Sequence, residues 1–186
     1  MNKFIIYTDG SSRGNPGKGG WAVIIIENND DSKFQITPVQ RSFSVVGNDK
    51  LQIKEIGGRE EMTTNNRMEM TASIEGLKNT PENCEVEIYT DSEYLMKGIT
   101  LWIHNWQKNN WRTKDKKDVL NKDLWLQLLE ETQKRKVVWK KVLGHSGDRL
   151  NDRCDEIATS FADNKNVILY NGLKQDYFLF HQNREK

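Results

Sequence analysis

The chain has 186 residues, 35% hydrophobic and 30% charged, which suffices for one well-packed domain and is short for two. Its net charge of +1 excludes a polycation, so a nucleic-acid site would have to rest on local clustering of basic residues. Cys84 and Cys154 show neither CxxC spacing nor a disulfide framework, which points to a reducing, cytoplasmic setting, and no apolar stretch is long enough for a signal core or a membrane span.

The apolar run at 4–7 predicts a buried strand that delivers Asp9 to its end. Glycines at 10, 14, 17, 19 and 20 would let backbone amides approach a partner closely, although Asp9-Gly10 alone could equally be a hairpin turn. No Lys-Ser/Thr pair of the P-loop kind follows the turn. Residues 21–26 read as a second strand, antiparallel to the first. The polar stretch 28–61, with strand pieces expected at 34–36 and 43–46, reads as a further antiparallel strand with an elaborated loop.

Residues 63–70 open a helix whose core face is Met70, Ser73, Ile74 and Leu77. Asn66 and Glu69 have capping-box spacing, which gives Glu69 a purely structural account. Residues 84–91 alternate as a strand and end on Asp91 before a helix start, where a plain N-cap is the structural account. Trp102, Trp106 and Trp111 are then interleaved with lysines and arginine. Between 108 and 122 six basic residues face two acidic ones, so a basic, tryptophan-bearing helical hairpin is expected to follow a nucleic-acid backbone, with at least one of Trp102 and Trp106 packed on the core.

Residues 124–135 give an amphipathic helix carrying Trp125, Leu128 and Leu129, and 137–143 the last clear strand. The loop Gly144-His145-Ser146-Gly147-Asp148 leads into a helix with Cys154, Ile157, Ala158 and Phe161 on one face and Asp155 beside it, where a first-turn acid favoured by the helix dipole is the simple account. Segments 167–170 and 177–180 look like short strands or packing segments, and this aromatic tail is expected to lie along the sheet edge and support the domain.

Asp9 and Asp91 end strands, while Glu69 and Asp155 lie near helix starts. In an α/β sheet with parallel strands these positions gather at one edge. Four carboxylates there would repel one another unless cations neutralise them, and oxygen donors without cysteine or clustered histidine select Mg²⁺ or Mn²⁺ over zinc. Two such ions about 4 Å apart could hold the attacking water and the leaving oxygen of a phosphoryl displacement.

The motifs Thr8-Asp9-Gly10-Ser11 with Gly14-Asn15-Pro16-Gly17, Thr64-Asn65-Asn66-Arg67-Met68-Glu69, Tyr89-Thr90-Asp91-Ser92, Trp102-Ile103-His104-Asn105-Trp106, and Gly144-His145-Ser146-Gly147 with Asn151-Asp152-Arg153-Cys154-Asp155, in this order, resemble those of type 1 ribonucleases H over residues 3–162. The resemblance implies an α/β, ribonuclease H-like fold: a five-stranded mixed sheet, its first three strands antiparallel, flanked by helices. It implies one domain over 1–186, with 28–61 an elaboration, 101–122 a basic protrusion and 163–186 a C-terminal extension. The implied activity is hydrolysis of the RNA strand of RNA–DNA hybrids to 5′-phosphate and 3′-hydroxyl ends, by a monomer with two Mg²⁺ ions, Mn²⁺ being the alternative. Asp9, Glu69, Asp91 and Asp155 would be the metal ligands, and His145 would assist proton transfer or product release. Gly10, Ser11, Asn15, Asn65 and Asn66 would read the minor groove, where 2′-hydroxyls mark RNA. Thr64, Arg67 and Asn121 would hold phosphates, and Trp102 and Trp106 with nearby lysines would grip the DNA strand. Such backbone contacts carry no sequence information, so little base preference is expected. A hybrid-binding module without catalysis, and a related nuclease or strand-transfer enzyme acting on DNA, are the alternatives. The complete carboxylate set with His145 argues against the first, and the Asn65-Asn66-Arg67 run with the basic protrusion argues against the second.

Overall fold

In the computed structural model, residues 2–28, 51–144 and 147–182 are described. In chain order the elements are β1 (Lys3–Gly14), β2 (Gly17–Asn28), β3 (Gln52–Thr63), α1 (Asn65–Lys78), β4 (Glu85–Thr90), α2 (Glu93–Lys97), a π-helical turn (Gly98–Trp102), α3 (Ile103–Lys108), α4 (Lys122–Gln133), β5 (Lys136–Lys141), α5 (Arg149–Ala162), β6 (Asn171–Leu173) and α6 (Lys174–Gln182).

The strands form one mixed sheet in the order β5-β4-β1-β2-β3-β6. β1, β2 and β3 are antiparallel, as expected, whereas β4 runs parallel to both β1 and β5. The expected five strands are six: Asn171–Leu173, in the C-terminal extension, pair with Gln52–Lys54 on the edge of β3. Three residues with a central glycine carry no strand pattern of their own, and the exposed edge of β3 supplies the pairing that orders them.

The third antiparallel strand expected in the 28–61 stretch is β3. It starts at Gln52, and the pieces anticipated at 34–36 and 43–46 fall outside the described residues. Leu51, Ile53 and Glu55 all point inward, and a glutamate at the third inward position breaks the apolar alternation that would have marked the strand. Segment 177–180 belongs to α6, with Tyr177 buried, so it packs as a helix and not as a strand.

Helices cover both faces of the sheet. On one, Phe4, Ile6, Val23, Val86 and Ile88 meet α1 through Met70, Ile74 and Leu77, and α4 through Trp125 and Leu128. On the other, Ile5, Tyr7, Ile24, Ile26 and Ile53 meet α5 through Leu150, Cys154, Ile157 and Ala158, and the tail through Tyr170 and Tyr177. Two-sided burial explains why β1 and β2 read as continuous apolar runs. Each such buried side chain contributes about 1.5–3 kcal/mol. Among the described residues no helix is long and apolar enough to cross a membrane.

The 101–122 segment departs from a helical hairpin. After α3 the chain turns through Asn110, Trp111 and Lys116, all with positive φ, and forms an isolated Arg112–Asp118 bridge before α4 begins. Trp111 is buried, so it belongs to the core and not to an exposed basic face.

Candidate active site

β1 and β4 lie side by side in parallel register through Thr8↔Thr90, and Asp9 and Asp91 are the residues that come next. Asp91 follows β4, but Asp9 lies within β1 and not, as expected, at its end, because pairing with β2 carries the strand on through Gly10 to Gly14. Strand spacing sets their backbones about 4.8 Å apart. α1 packs against β1 at Gly10, where a Cβ would overlap the backbone of Met68 and Glu69. The missing side chain thus lets the first turns of α1 settle onto the strand and bring Glu69 beside Asp9. Asp9, Gly10, Ser11, Asn65, Glu69, Asp91, Ser92, Glu93 and Asp155 line one open cleft of about 350 Å³. The structure therefore gathers all four predicted carboxylates, together with Gly10, Ser11 and Asn65.

Their simple structural accounts do not hold. The N-cap of α1 is Thr64, whose Oγ1 accepts from the Arg67 amide at 3.4 Å, so Asn66 and Glu69 form no capping box. Ser92, and not Asp91, caps α2, its Oγ accepting from the Leu95 amide at 3.2 Å. α5 is capped by Asp148 and starts at Arg149, which puts Asp155 in the second turn, beyond the best reach of the dipole.

Hydrogen bonds fix the cleft's acids. Asp9 Oδ1 accepts from the Gly10 amide at 2.7 Å. Glu69 Oε1 accepts from Asn65 Nδ2 at 2.8 Å, and its Oε2 accepts from the Ser92 hydroxyl. Asp91 Oδ2 accepts from Asn151 Nδ2 at 3.4 Å. Burial, then the charge of Asp91, pushes Asp9 up to about 8, against the pull of the Gly10 amide, and Asp155 and Glu69 add to the rise. Burial also raises Glu69 to about 7, with Asp91 adding and the Ser92 and Asn65 hydrogen bonds opposing. Burial first, and neighbouring negative charge second, thus disfavour the ionised forms of Asp9 and Glu69, a cost that a bound cation would offset.

The donor set is all oxygen, which suits a hard divalent cation. Among the described residues no three His, Cys, Asp or Glu side chains already form a metal-binding group. Asp9 and Glu69 are engaged by the amide and side-chain donors just named, so cation binding would compete with those contacts.

Beside the cleft, Arg67 donates to both oxygens of Asp123, at 3.0 and 2.7 Å, and to Asn121 Oδ1 at 3.4 Å. Thr64, Arg67 and Asn121 thus meet where α1 packs on α4. Asn121 takes a left-handed conformation, and its Nδ2 donates to the Tyr94 hydroxyl at 3.3 Å, which also receives Trp125 Nε1 at 3.2 Å. The Trp102 and Trp106 rings lie 5.6 Å apart. Trp106 also packs on Trp125 and the core, as expected for one of the pair. Asn15 is exposed in the β1–β2 turn and Asn66 lies in the first turn of α1, and neither lines the cleft. His145 lies outside the described residues.

Four contacts were absent from the sequence reading: Ser92 with Glu69, Asn151 with Asp91, Asp123 with Arg67 and Tyr94 with Asn121. Only Asn151 had a sequence signal, since it stands four residues before Asp155 and shares its helix face.

Comparison with known proteins places these features in a family context. The RNase H family profile matches residues 1–163. Ribonuclease H of Erythrobacter litoralis is 43% identical over 163 residues, covering 88% of this chain and 98% of that protein. Ribonuclease H of Rickettsia bellii is 45% identical over 158 residues, covering 85% and 88%. Among solved structures, LC9-RNase H1, a type 1 RNase H with the type 2 active-site motif, superposes with a TM-score of 0.74 at 24% identity, covering 92% of this chain and 78% of that one. LC11-RNase H1 in complex with an RNA/DNA hybrid gives 0.55 at 22% identity, covering 87% and 97%.

Proposed function

This chain belongs to the RNase H family, and on that premise we propose that it is a ribonuclease H that hydrolyses the RNA strand of RNA–DNA hybrids, leaving 5′-phosphate and 3′-hydroxyl ends with little sequence preference. The observation that carries the reading is the gathering of Asp9, Glu69, Asp91 and Asp155, an all-oxygen donor set delivered by β1, β4, α1 and α5, in one cleft. Two Mg²⁺ ions held by these four residues, with Mn²⁺ as the alternative, would supply Lewis acidity toward the scissile phosphate and a more acidic water.

The remaining work falls to the chain. Arg67, Thr64 and Asn121 hold a backbone phosphate and so set the register of the duplex on the cleft. Asn65, Ser11 and the Gly10 backbone, which line the cleft, meet the RNA sugars there, with Asn66 and Asn15 extending the contact along the minor groove. Amides suit this task because they donate and accept without adding charge. Trp102 and Trp106 offer faces to the DNA strand at the basic protrusion. His145, one residue beyond Gly144, exchanges protons with the departing product. The buried, unpaired thiols of Cys84 and Cys154 accord with a reducing cytoplasm.

The decisive test is one gel in which labelled RNA–DNA hybrid, double-stranded RNA, double-stranded DNA and single-stranded RNA are each incubated with Mg²⁺ or EDTA. Cleavage confined to the RNA strand of the hybrid, and abolished by EDTA, is the expected pattern. Equal cleavage of double-stranded DNA would refute the substrate assignment.

A further inference from the structure

We propose that Asn151 is a positioning residue that acts through Asp91, setting the carboxylate that follows β4 against the helix that carries Asp155. The proposal rests on the reading of the cleft as a divalent-cation site.

Asn151 is 2% exposed, and its Nδ2 donates to Asp91 Oδ2 at 3.4 Å. Contacts of this length are common at unliganded sites and tighten when the site is filled. Among the described residues the other end of the same amide, Oδ1, has no hydrogen-bond partner. A buried amide that strands its oxygen has been oriented by something else. Turned around, it would present that oxygen to a carboxylate, so Asp91 dictates the orientation. The backbone is fixed as well, because the amides of Leu150 and Asn151 both donate to Asp148 Oδ1, at 3.1 and 3.3 Å.

Two further observations place the contact. Asn151 and Asp155 are four residues apart in α5, on one face, so the side chain that touches Asp91 lies one turn from the carboxylate that lines the cleft. From the other side, a Cβ on Gly144 would lie 2.8 Å from the same Asp91 Oδ2. The oxygen lies between the bare backbone at Gly144, where any side chain would crowd it, and the Asn151 amide that donates to it. Outer partners of this kind typically change metal affinity by about 10- to 100-fold when removed.

The test is calorimetric titration of Mg²⁺ alone into the full chain and into Asn151→Leu, which keeps the volume and removes the donor. Asn151→Ser serves as a second, smaller variant should the leucine prevent folding. Thermal unfolding in EDTA identifies the folded variants, and hybrid affinity in EDTA is measured alongside. The expected result is Mg²⁺ binding weakened about tenfold or more, with metal-free hybrid affinity unchanged. Mg²⁺ affinity within twofold of the parent in a folded variant would overturn the role of Asn151 and leave the cation site standing. A parent chain that binds no Mg²⁺ would overturn the cation reading itself, and this proposal with it.

Discussion

Glu55 and Arg153 form a buried, two-pronged ion pair, Nε to Oε1 and Nη2 to Oε2, each at 2.9 Å. The glutamate side chain is wholly inaccessible and the arginine 5% exposed. The same carboxylate accepts from the Tyr170 amide at 2.9 Å and the Tyr177 hydroxyl at 2.8 Å, while Arg153 Nη2 also donates to the Ile168 carbonyl. One acid in β3 thus joins the sheet to the C-terminal extension and, through Arg153, two residues before Asp155, to α5. The extension lies beyond the family match, which ends at residue 163.

Removing one partner leaves a buried charge without compensation, so Glu55→Ala is expected to destabilise the fold by about 3–5 kcal/mol. For a chain of this size that is a fall in Tm of about 6–20 °C, read by thermal unfolding. A fall below about 2 °C would show that the pair contributes little.

Deleting residues 165–186 removes β6, α6 and three hydrogen-bonding groups of the same network, the Ile168 carbonyl, the Tyr170 amide and the Tyr177 hydroxyl. Tm is expected to drop, and Glu55→Gln should then cost less in the shortened chain than in the full one, because the two changes share contacts. An unchanged melting point in the shortened chain would count against the tail as a support.

Burial alone would raise Glu55, but the hydrogen bonds from Arg153, with His181, the arginine charge and the Tyr170 amide, hold it down at about 2. The unfolded carboxyl titrates at about 4.3, so the unfolded chain binds more protons between these values. This contribution is present in full above about pH 4.5 and fades as pH falls towards 2. Asp9, at about 8, and Glu69, at about 7, work in the opposite sense. The folded chain binds more protons than the unfolded one from about pH 4 upward, so metal-free stability declines as pH rises through 5 to 8. Tm measured against pH in EDTA should therefore slope downward across that range, and Mg²⁺ should flatten the slope. A metal-free Tm that climbs from pH 5 to 8 would contradict the crowding of these acids.

Asp9→Asn is expected to reduce Mg²⁺-dependent cleavage by more than about a hundredfold, beyond the loss typical of an outer metal partner. It should also raise the metal-free Tm near pH 8, since a charge repelled by Asp91 leaves a buried position. Metal-free hybrid affinity should hold or improve. Retained cleavage in this variant would remove Asp9 from the metal site.

Arg67→Ala should weaken hybrid binding evenly across sequences and lower the slope of log affinity against log salt by about one, as for loss of a single phosphate contact. Asp123→Asn should do the reverse in affinity, because the parent carboxylate competes for the same guanidinium. Fluorescence anisotropy at several KCl concentrations reads both. An unchanged salt slope in Arg67→Ala would place that arginine away from the phosphates.

The sequence carried most of the site because its acids sit at positions that topology alone brings together: Asp9 within β1 and Asp91 just after β4, Glu69 and Asp155 in helices that pack beside them. Met70, Ile74 and Leu77, spaced for one helix face, are buried as that spacing requires. What stayed hidden depends on long-range company. Glu55 looks like a surface acid in a polar stretch until Arg153, 98 residues later, is folded against it. Ser92 and Asp123 likewise meet partners 23 and 56 residues away, and no local pattern encodes such a meeting. The cap of α1 was misplaced by two residues because Thr64, Asn65 and Asn66 are all good capping types, and only backbone geometry selects among them.

The pairing of β1 with β4 bears on how the molecule can change. Asp9 and Asp91 are held apart by the hydrogen-bonding interval between two neighbouring strands, a length that no connecting turn can stretch. The connection between β2 and β3 joins strands on the other side of β1, so lengthening or exchanging it leaves that gauge untouched. Divergence can accumulate in the connections while the distance between the two aspartates remains a constant of the sheet.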